Sequence, residues 1–305
     1  MADYASKAED YRKQADKKLK SLLGGFFGNK HEEAAELLEK AANNYKLAKM
    51  WNECAEMYEK LAGCYLKMDS KHEAATAFVE AAKAVGKQDQ TRSQALLRQA
   101  VNLYTDMGRL NMAARQLKEI AEQLEKAGQK EEAITYYNQA ADLFEMENSS
   151  SEATKCKLKI AEFSAEMGRF SKAVEIFEDA AKRAVESNLL KYSARGYLLQ
   201  SGICALCYLK PDDIEKKLDK YRSIDLQFDG SREATLLDGL VEARRELDEA
   251  KFATLLAEFD AITRLDPWKV KILRQAKKKI EEEQLGVGAA GGDGGDEEEE
   301  EEELL

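Results

Sequence analysis

Residues 111–168 read NMAARQLKEIAEQLEKAG (111–128), KEEAITYYNQAADLF (130–144) and SEATKCKLKIAEFSAEMG (151–168). Each word opens on polar or charged residues, sets down a small residue, and runs on amphipathically. The same word recurs outward in both directions. It appears as HEEAAELLEKAANNYK (31–46), WNECAEMYEKLAGCYLK (51–67), KHEAATAFVEAAKAVGK (71–87), RSQALLRQAVNLYTDMG (92–108) and SKAVEIFEDAAKRA (171–184). The small residues align as Ala34, Cys54, Ala74, Ala95, Ala113, Ala133, Ala153 and Ala173, with steps of 20, 20, 21, 18, 20, 20 and 20.

A step near 20 residues holds one helix of about 14–16 residues and a short turn. Two steps make a helical hairpin of about 40 residues, somewhat longer than the ~34 of a standard tetratricopeptide unit. The small residues let neighbouring backbones approach. Tyr58, Tyr65, Phe78, Tyr104, Tyr136, Tyr137, Phe144, Phe163 and Phe177 read as packing between helices. Gly108, Gly128 and Gly168 read as left-handed C-caps. The expected fold is all-α: a tetratricopeptide-like solenoid of helical hairpins, a curved sheet of antiparallel helices over residues 1–190. From about Lys191 the period loosens. Helices expected at 191–209, 212–223, 231–247, 249–263 and 267–284 read as a C-terminal bundle over 191–285, with Pro211 and Pro267 at helix starts.

Residues 286–305 are Gly-rich, then polyacidic, and their composition predicts disorder. They contain nine acids and no base. Without them the chain's 58 acids fall to 49 against 47 bases, so the net charge of −11 belongs mostly to this tail. The body is nearly balanced, and overall acidity disfavours nucleic acid as a partner. No run of 18 apolar residues exists and the first residues lack a secretory core, so a cytoplasmic protein is expected.

Nothing in the chain assembles an active site. The two histidines, His31 and His72, stand at helix starts beside acids, and no phosphate-loop, dinucleotide, nucleophile-elbow or zinc-protease motif occurs. The carboxylates interleave with lysines at helical spacing, as on solvated faces. Of five cysteines, Cys204 and Cys207 form a CxxC inside YLLQSGICALCYL, which reads as one buried helix with core thiols. Neither an enzyme nor a cofactor is expected.

Two features stand out from the repeat. Leu22, Leu23, Phe26 and Phe27 cluster around glycines in KSLLGGFFGNK (20–30), between lysines. They read either as a staple on the first hairpin or as a membrane-touching loop. Burying four such side chains is worth roughly 6–12 kcal/mol before ordering costs. Lysines beside anionic lipid would make attachment weak and reversible. The second feature is a set of bases. Arg115 and Lys118 lie one turn apart, as do Lys155 and Lys159, in helices two words apart. They predict a basic stripe that suits an acidic helical partner, or else an ordinary solvated face.

With these residues in view, the chain resembles the soluble attachment proteins for the N-ethylmaleimide-sensitive factor (NSF), of the alpha/beta type. The resemblance spans about residues 3–285. It rests on SKHEAATAFVEAAKA, AVNLYTDMGRLNMAARQLKEIAE, SSEATKCKLKIAEF, LLKYSARGYLL and EFDAITRLDPWK, in that order and spacing. The opening YASKAEDYRKQADKKL and the phrase EFDAITRLDPWK look closer to plant or algal members.

The resemblance implies an adaptor, in several copies, that coats the four-helix SNARE bundle and recruits the hexameric AAA+ ATPase that disassembles it. It also implies peripheral membrane association of a protein that is monomeric in isolation. It assigns Arg109, Arg115, Lys118, Lys155 and Lys159 to the SNARE bundle, and Leu22, Leu23, Phe26 and Phe27 to the membrane. Arg195, Arg232, Glu242, Glu246, Glu249 and the terminal Leu304 and Leu305 fall to the ATPase. Arg245 stands where the family pattern would place another acid. A different tetratricopeptide scaffold, such as a chaperone-linked adaptor, is the alternative.

Overall fold

The computed structural model describes residues 2–20, 30–187 and 190–290. All regular structure among these residues is helical. The helices are α1 (Ala2–Lys20), α2 (Lys30–Leu47), α3 (Trp51–Lys67), α4 (Lys71–Val85), α5 (Gln90–Asp106), α6 (Leu110–Lys126), α7 (Lys130–Met146), α8 (Ser150–Glu166) and α9 (Phe170–Glu186). A short 3-10 turn, Lys191–Ser193, leads into α10 (Ala194–Ala205), α11 (Pro211–Ile224), α12 (Arg232–Arg245), α13 (Glu249–Ile262) and α14 (Pro267–Ala290). The chain forms two compact units, residues 1–159 and 160–305. The repeat register itself runs on through α9.

In the first unit each helix packs on the next from α1 to α7. The fourth residue of each helix from α3 to α9 makes the close approach. Cys54, Ala74, Ala113, Ala133, Ala153 and Ala173 are all fully buried. In α5 the sequence alignment places Ala95 in this role, but Ala95 is exposed and Ser93 is fully buried. The register therefore steps by 19 and then 20 around α5, rather than by 21 and 18. A serine escapes sequence reading here because its hydroxyl disfavours a core position unless a partner satisfies it. That partner exists only in the folded chain: Ser93 Oγ donates to the Ala82 carbonyl at 3.1 Å.

The turns are as regular as the helices. Gly108, Gly128 and Gly168 adopt φ of 68°, 78° and 77°. Each is followed by a residue whose N–H reaches back five residues, as Arg109 does to the Tyr104 carbonyl at 2.8 Å. The same bond and left-handed φ recur at Lys49, Asp69 and Asn148, so the device repeats at 20-residue intervals whatever residue occupies it. This is the Schellman closure, in which one left-handed residue satisfies two helix-end carbonyls. The turn between α4 and α5 departs from it. It is one residue longer, Gly86 is right-handed at φ −57°, and the Asp89 side chain caps α5 by accepting from the Arg92 N–H.

The predicted aromatics fill the helix interfaces. Tyr58, Phe78, Tyr104, Tyr137, Phe144, Phe163 and Phe177 are buried, while Tyr65 and Tyr136 are half-buried. Tyr136 accepts a hydrogen bond from Arg98 Nε at 3.0 Å and lies beneath its guanidinium.

In the second unit, α10 is apolar nearly all round and packs on α9, α11, α12 and α14. A helix of that kind must be enclosed to be stable in water. Gly202 permits the approach of α12: a Cβ there would stand 2.5 Å from a Leu237 methyl. Trp268, at the start of α14, donates its Nε1–H to the Glu162 carbonyl at 3.0 Å and meets Phe177 edge-on.

Left-handed backbone costs a non-glycine residue about 1–2 kcal/mol. Lys49 is exposed, so Lys49→Gly should raise the unfolding free energy by about 0.5–1 kcal/mol after glycine's added chain entropy, seen as a higher urea midpoint. Gly128→Ala, at an uncrowded site, should lower stability by about 1–2 kcal/mol. Equilibrium unfolding followed by circular dichroism measures both.

Candidate functional site

The basic residues singled out in the first unit sit on α6 and α8. Arg115 and Lys155 are each the sixth residue of their helix, forty residues apart, so they occupy equivalent positions on successive hairpins. Lys118 and Lys159 are the ninth and tenth residues and do not share a position. Arg109 precedes α6 as its N-cap residue, without a capping side-chain bond.

These bases do not stand alone. Lys118 Nζ lies 3.0 Å from Glu152, and Lys155 Nζ lies 2.6 Å from the same carboxylate. Lys159 Nζ lies 3.0 Å from Glu125, which also accepts the Tyr137 hydroxyl at 2.8 Å. The hydrogen bonds from Lys155 and Lys118 hold the Glu152 carboxyl below its usual range. Burial would lower Lys118, but its bond to Glu152 outweighs this and raises it. Burial and then the bond to Glu125 push the Tyr137 phenol up. Arg115 is exposed and has no ion-pair partner among the described residues.

Sequence reading missed Glu152 as the partner of Lys118 and Glu125 as the partner of Lys159 because each pair is 34 residues apart, whereas Lys155–Glu152 is a local pair one turn apart on α8. The spacing was nevertheless present as a signal. Lys46–Glu80 bridges α2 and α4 at the same separation, and Glu59–Arg92 bridges α3 and α5 at 33. These rungs tie alternate helices together. An exposed pair contributes only about 0–1 kcal/mol. A lysine can therefore leave Glu152 for a carboxylate of a partner at little cost.

The second set lies on the other unit. Glu242 pairs with Arg245 at 2.6 Å, Glu246 with Lys251 at 2.6 Å and Glu249 with Lys277 at 2.6 Å. Arg245 also reaches Glu215 at 2.8 Å and Asp212 at 3.3 Å. A base at Arg245 thus organises a cluster of three acids. Arg195 is half-buried on α10, Arg232 opens α12 on the surface, and neither has an ion-pair partner among the described residues. Leu22, Leu23, Phe26 and Phe27 lie outside the described residues, as do Leu304 and Leu305.

All five cysteines are free and buried. Burial pushes Cys54 and Cys156 up to about 11 and Cys207 up to about 12, and drives Cys204 well up. Cys207 Sγ points at the Ile203 and Ile272 carbonyls. The CxxC is therefore part of the α10 core. Among the described residues no group of three or more His, Cys, Asp and Glu side chains is placed to hold a metal ion.

Helical repeats with exposed charged rungs describe a scaffold, and the comparisons specify which. The family whose sequence model is described as soluble NSF attachment protein, SNAP, matches residues 6–281. The chain belongs to the soluble NSF attachment protein family. The alpha-soluble NSF attachment protein of Vitis vinifera is 40% identical over 285 residues, covering 93% of this chain and 98% of its own length. The alpha-soluble NSF attachment protein of Mus musculus is 37% identical over 279 residues, covering 89% and 94%. A probable vesicular-fusion protein, the sec17 homolog of Schizosaccharomyces pombe, is 32% identical over 265 residues, covering 87% and 91%. Family membership makes this SNAP an attachment protein and not an enzyme.

A thiol buried with its pKa raised has almost no thiolate at neutral pH. In the native SNAP at pH 7.5, a charged thiol reagent should leave all five cysteines largely unmodified, whereas in denaturant all five should react at once. Fast native labelling of Cys204 and Cys207 would contradict their place in the α10 core.

Proposed function

We propose that this SNAP is an adaptor that binds assembled SNARE four-helix bundles and recruits and stimulates NSF, the AAA+ ATPase, for their disassembly. The observation that supports this reading most is the family match across residues 6–281. The repeated placement of Arg115 and Lys155 gives it a physical mechanism. A row of cations at hairpin intervals meets acidic side chains along a helical bundle. Charges of this kind steer and orient docking while tolerating different partners. Arg109, Lys118 and Lys159 extend the row.

In the same reading, Arg195, Arg232, Glu242, Glu246 and Glu249 contact the ATPase, with Leu304 and Leu305 stimulating it. The acids would exchange their internal partners for cations of NSF, since exposed ion pairs are weak enough to trade. Leu22, Leu23, Phe26 and Phe27 engage the membrane. An adaptor held there meets membrane-anchored SNAREs at raised effective concentration. The protein works in the cytoplasm, peripherally on membranes, in several copies per SNARE complex.

ATP-dependent disassembly of a pre-formed SNARE complex tests the reading. The intact chain should support it. Lys155→Glu with Lys159→Glu should weaken SNARE binding by about tenfold or more, most at low salt. Removal of Leu304 and Leu305 should keep SNARE binding and lose turnover. An intact chain that neither binds SNAREs nor supports disassembly refutes the adaptor role.

Glu152→Gln offers a separate check. It releases Lys118 and Lys155 from their shared carboxylate, and should tighten SNARE binding by about two- to threefold at low salt with little change in stability. Binding titrations at two salt concentrations would show it. Weaker binding would mean that Glu152 positions the lysines rather than competing for them.

A further inference from the structure

The irregular turn between α4 and α5 opens a cleft of about 490 Å³ against α6. Its floor is made by Ser93 and Gln123, the latter 8% exposed. The Ser93 hydroxyl proton is committed to the Ala82 carbonyl, so its oxygen can only accept. Gln123 therefore presents its amide NH2 to Ser93, at 3.2 Å. This orientation leaves Gln123 Oε1 buried and without a hydrogen-bond partner. A buried acceptor left unmet costs about 1–3 kcal/mol. In α8 the counterpart of Gln123 is the apolar and buried Phe163.

Three lysines ring the mouth: Lys83, Lys87 and Lys126. Lys83 is held by Glu80 at 2.7 Å, while Lys87 and Lys126 have no ion-pair partner among the described residues. Glu119 is the one acid of the lining, and it receives a long bond from Gln123 Nε2 at 3.4 Å. The cleft is thus net positive above a buried acceptor. No aromatic residue lines it, so nothing is offered for a base to stack on. Its volume falls in the range of small-ligand pockets.

We propose that this cleft is a binding site for a phosphorylated polyol, an inositol phosphate, free or as a lipid headgroup. The phosphates meet Lys83, Lys87 and Lys126, and a ring hydroxyl donates to Gln123 Oε1. Gly86 keeps the entrance open, since a Cβ there would crowd the Ala82 carbonyl at 3.2 Å and Ser93 Oγ at 3.4 Å. The site requires serine at the helix-contact position and glutamine on α6 together, and it involves none of the residues assigned to SNARE, ATPase or membrane loop.

Calorimetry of the full chain with inositol 1,4,5-trisphosphate at physiological salt tests the proposal. Saturable one-to-one binding is expected. Lys87→Glu with Lys126→Glu, both at exposed positions, should keep the circular dichroism spectrum of the intact chain and weaken binding about tenfold or more, while Lys216→Glu should not. Gln123→Leu should weaken the trisphosphate several-fold and leave inorganic tripolyphosphate, which lacks a polyol hydroxyl, unchanged. Vesicles of phosphatidylcholine with phosphatidylinositol 4,5-bisphosphate separate the two sources. Recruitment lost in the double reversal assigns the headgroup, and binding of the free ester without recruitment assigns the soluble ligand. No saturable binding by the intact chain, or equal binding by the double reversal, overturns the site. Equal loss of both ligands in Gln123→Leu overturns the choice of a polyol phosphate.

Discussion

Close contact between helix backbones at one repeated position is the constraint from which the rest follows. Helices can pack with axes about 8 Å apart only where the facing side chains are small. Here the fourth residue of helix after helix is Ala or Cys and has no exposed surface. That contact sets the distance between neighbours. The left-handed turn, recurring at Lys49, Asp69, Gly108, Gly128, Asn148 and Gly168, sets the direction in which the chain returns. Both devices act on the backbone, so the side chains between them are free to vary on the outer faces.

That freedom is where partner binding is built. A fixed repeat brings residues 34 apart within ion-pair distance, as in Lys46–Glu80, Lys118–Glu152 and Glu125–Lys159. Such pairs add little to stability one by one. They hold long flexible side chains near the positions where an acidic partner will need them. The second unit uses the same chemistry differently. Arg245 draws Asp212, Glu215 and Glu242 together, and the enclosed helix α10 supplies the rigidity behind that surface.

The exception at α5 shows how tightly the constraint operates. Replacing the small apolar residue by Ser93 is tolerated because the Ala82 carbonyl receives its proton. The lengthened turn, right-handed Gly86 and buried Gln123 accompany it. One polar atom at the contact position thus changes a packed junction into a polar cleft, and the repeat resumes its 20-residue step immediately afterwards.

The helical character, the repeat length, the three glycine caps and the helix starts at Pro211 and Pro267 were all legible in the residues. Periodicity and turn chemistry are local, and each word carries them whole. The family was legible too, because five segments keep their order and spacing. Folding decided what depends on neighbours distant in sequence. The word alignment selects Ala95 because alanine matches the pattern, yet the helix start places Ser93 at the contact. The turns at Lys49, Asp69 and Asn148 look ordinary in sequence, since the left-handed conformation is imposed by the carbonyls they close and not by their own preference. Lys118 and Lys159 read as part of a plain basic stripe until the fold sets Glu152 and Glu125 beside them. Local pattern determines which elements form; only tertiary contact determines which charges are spent inside the molecule and which remain for a partner.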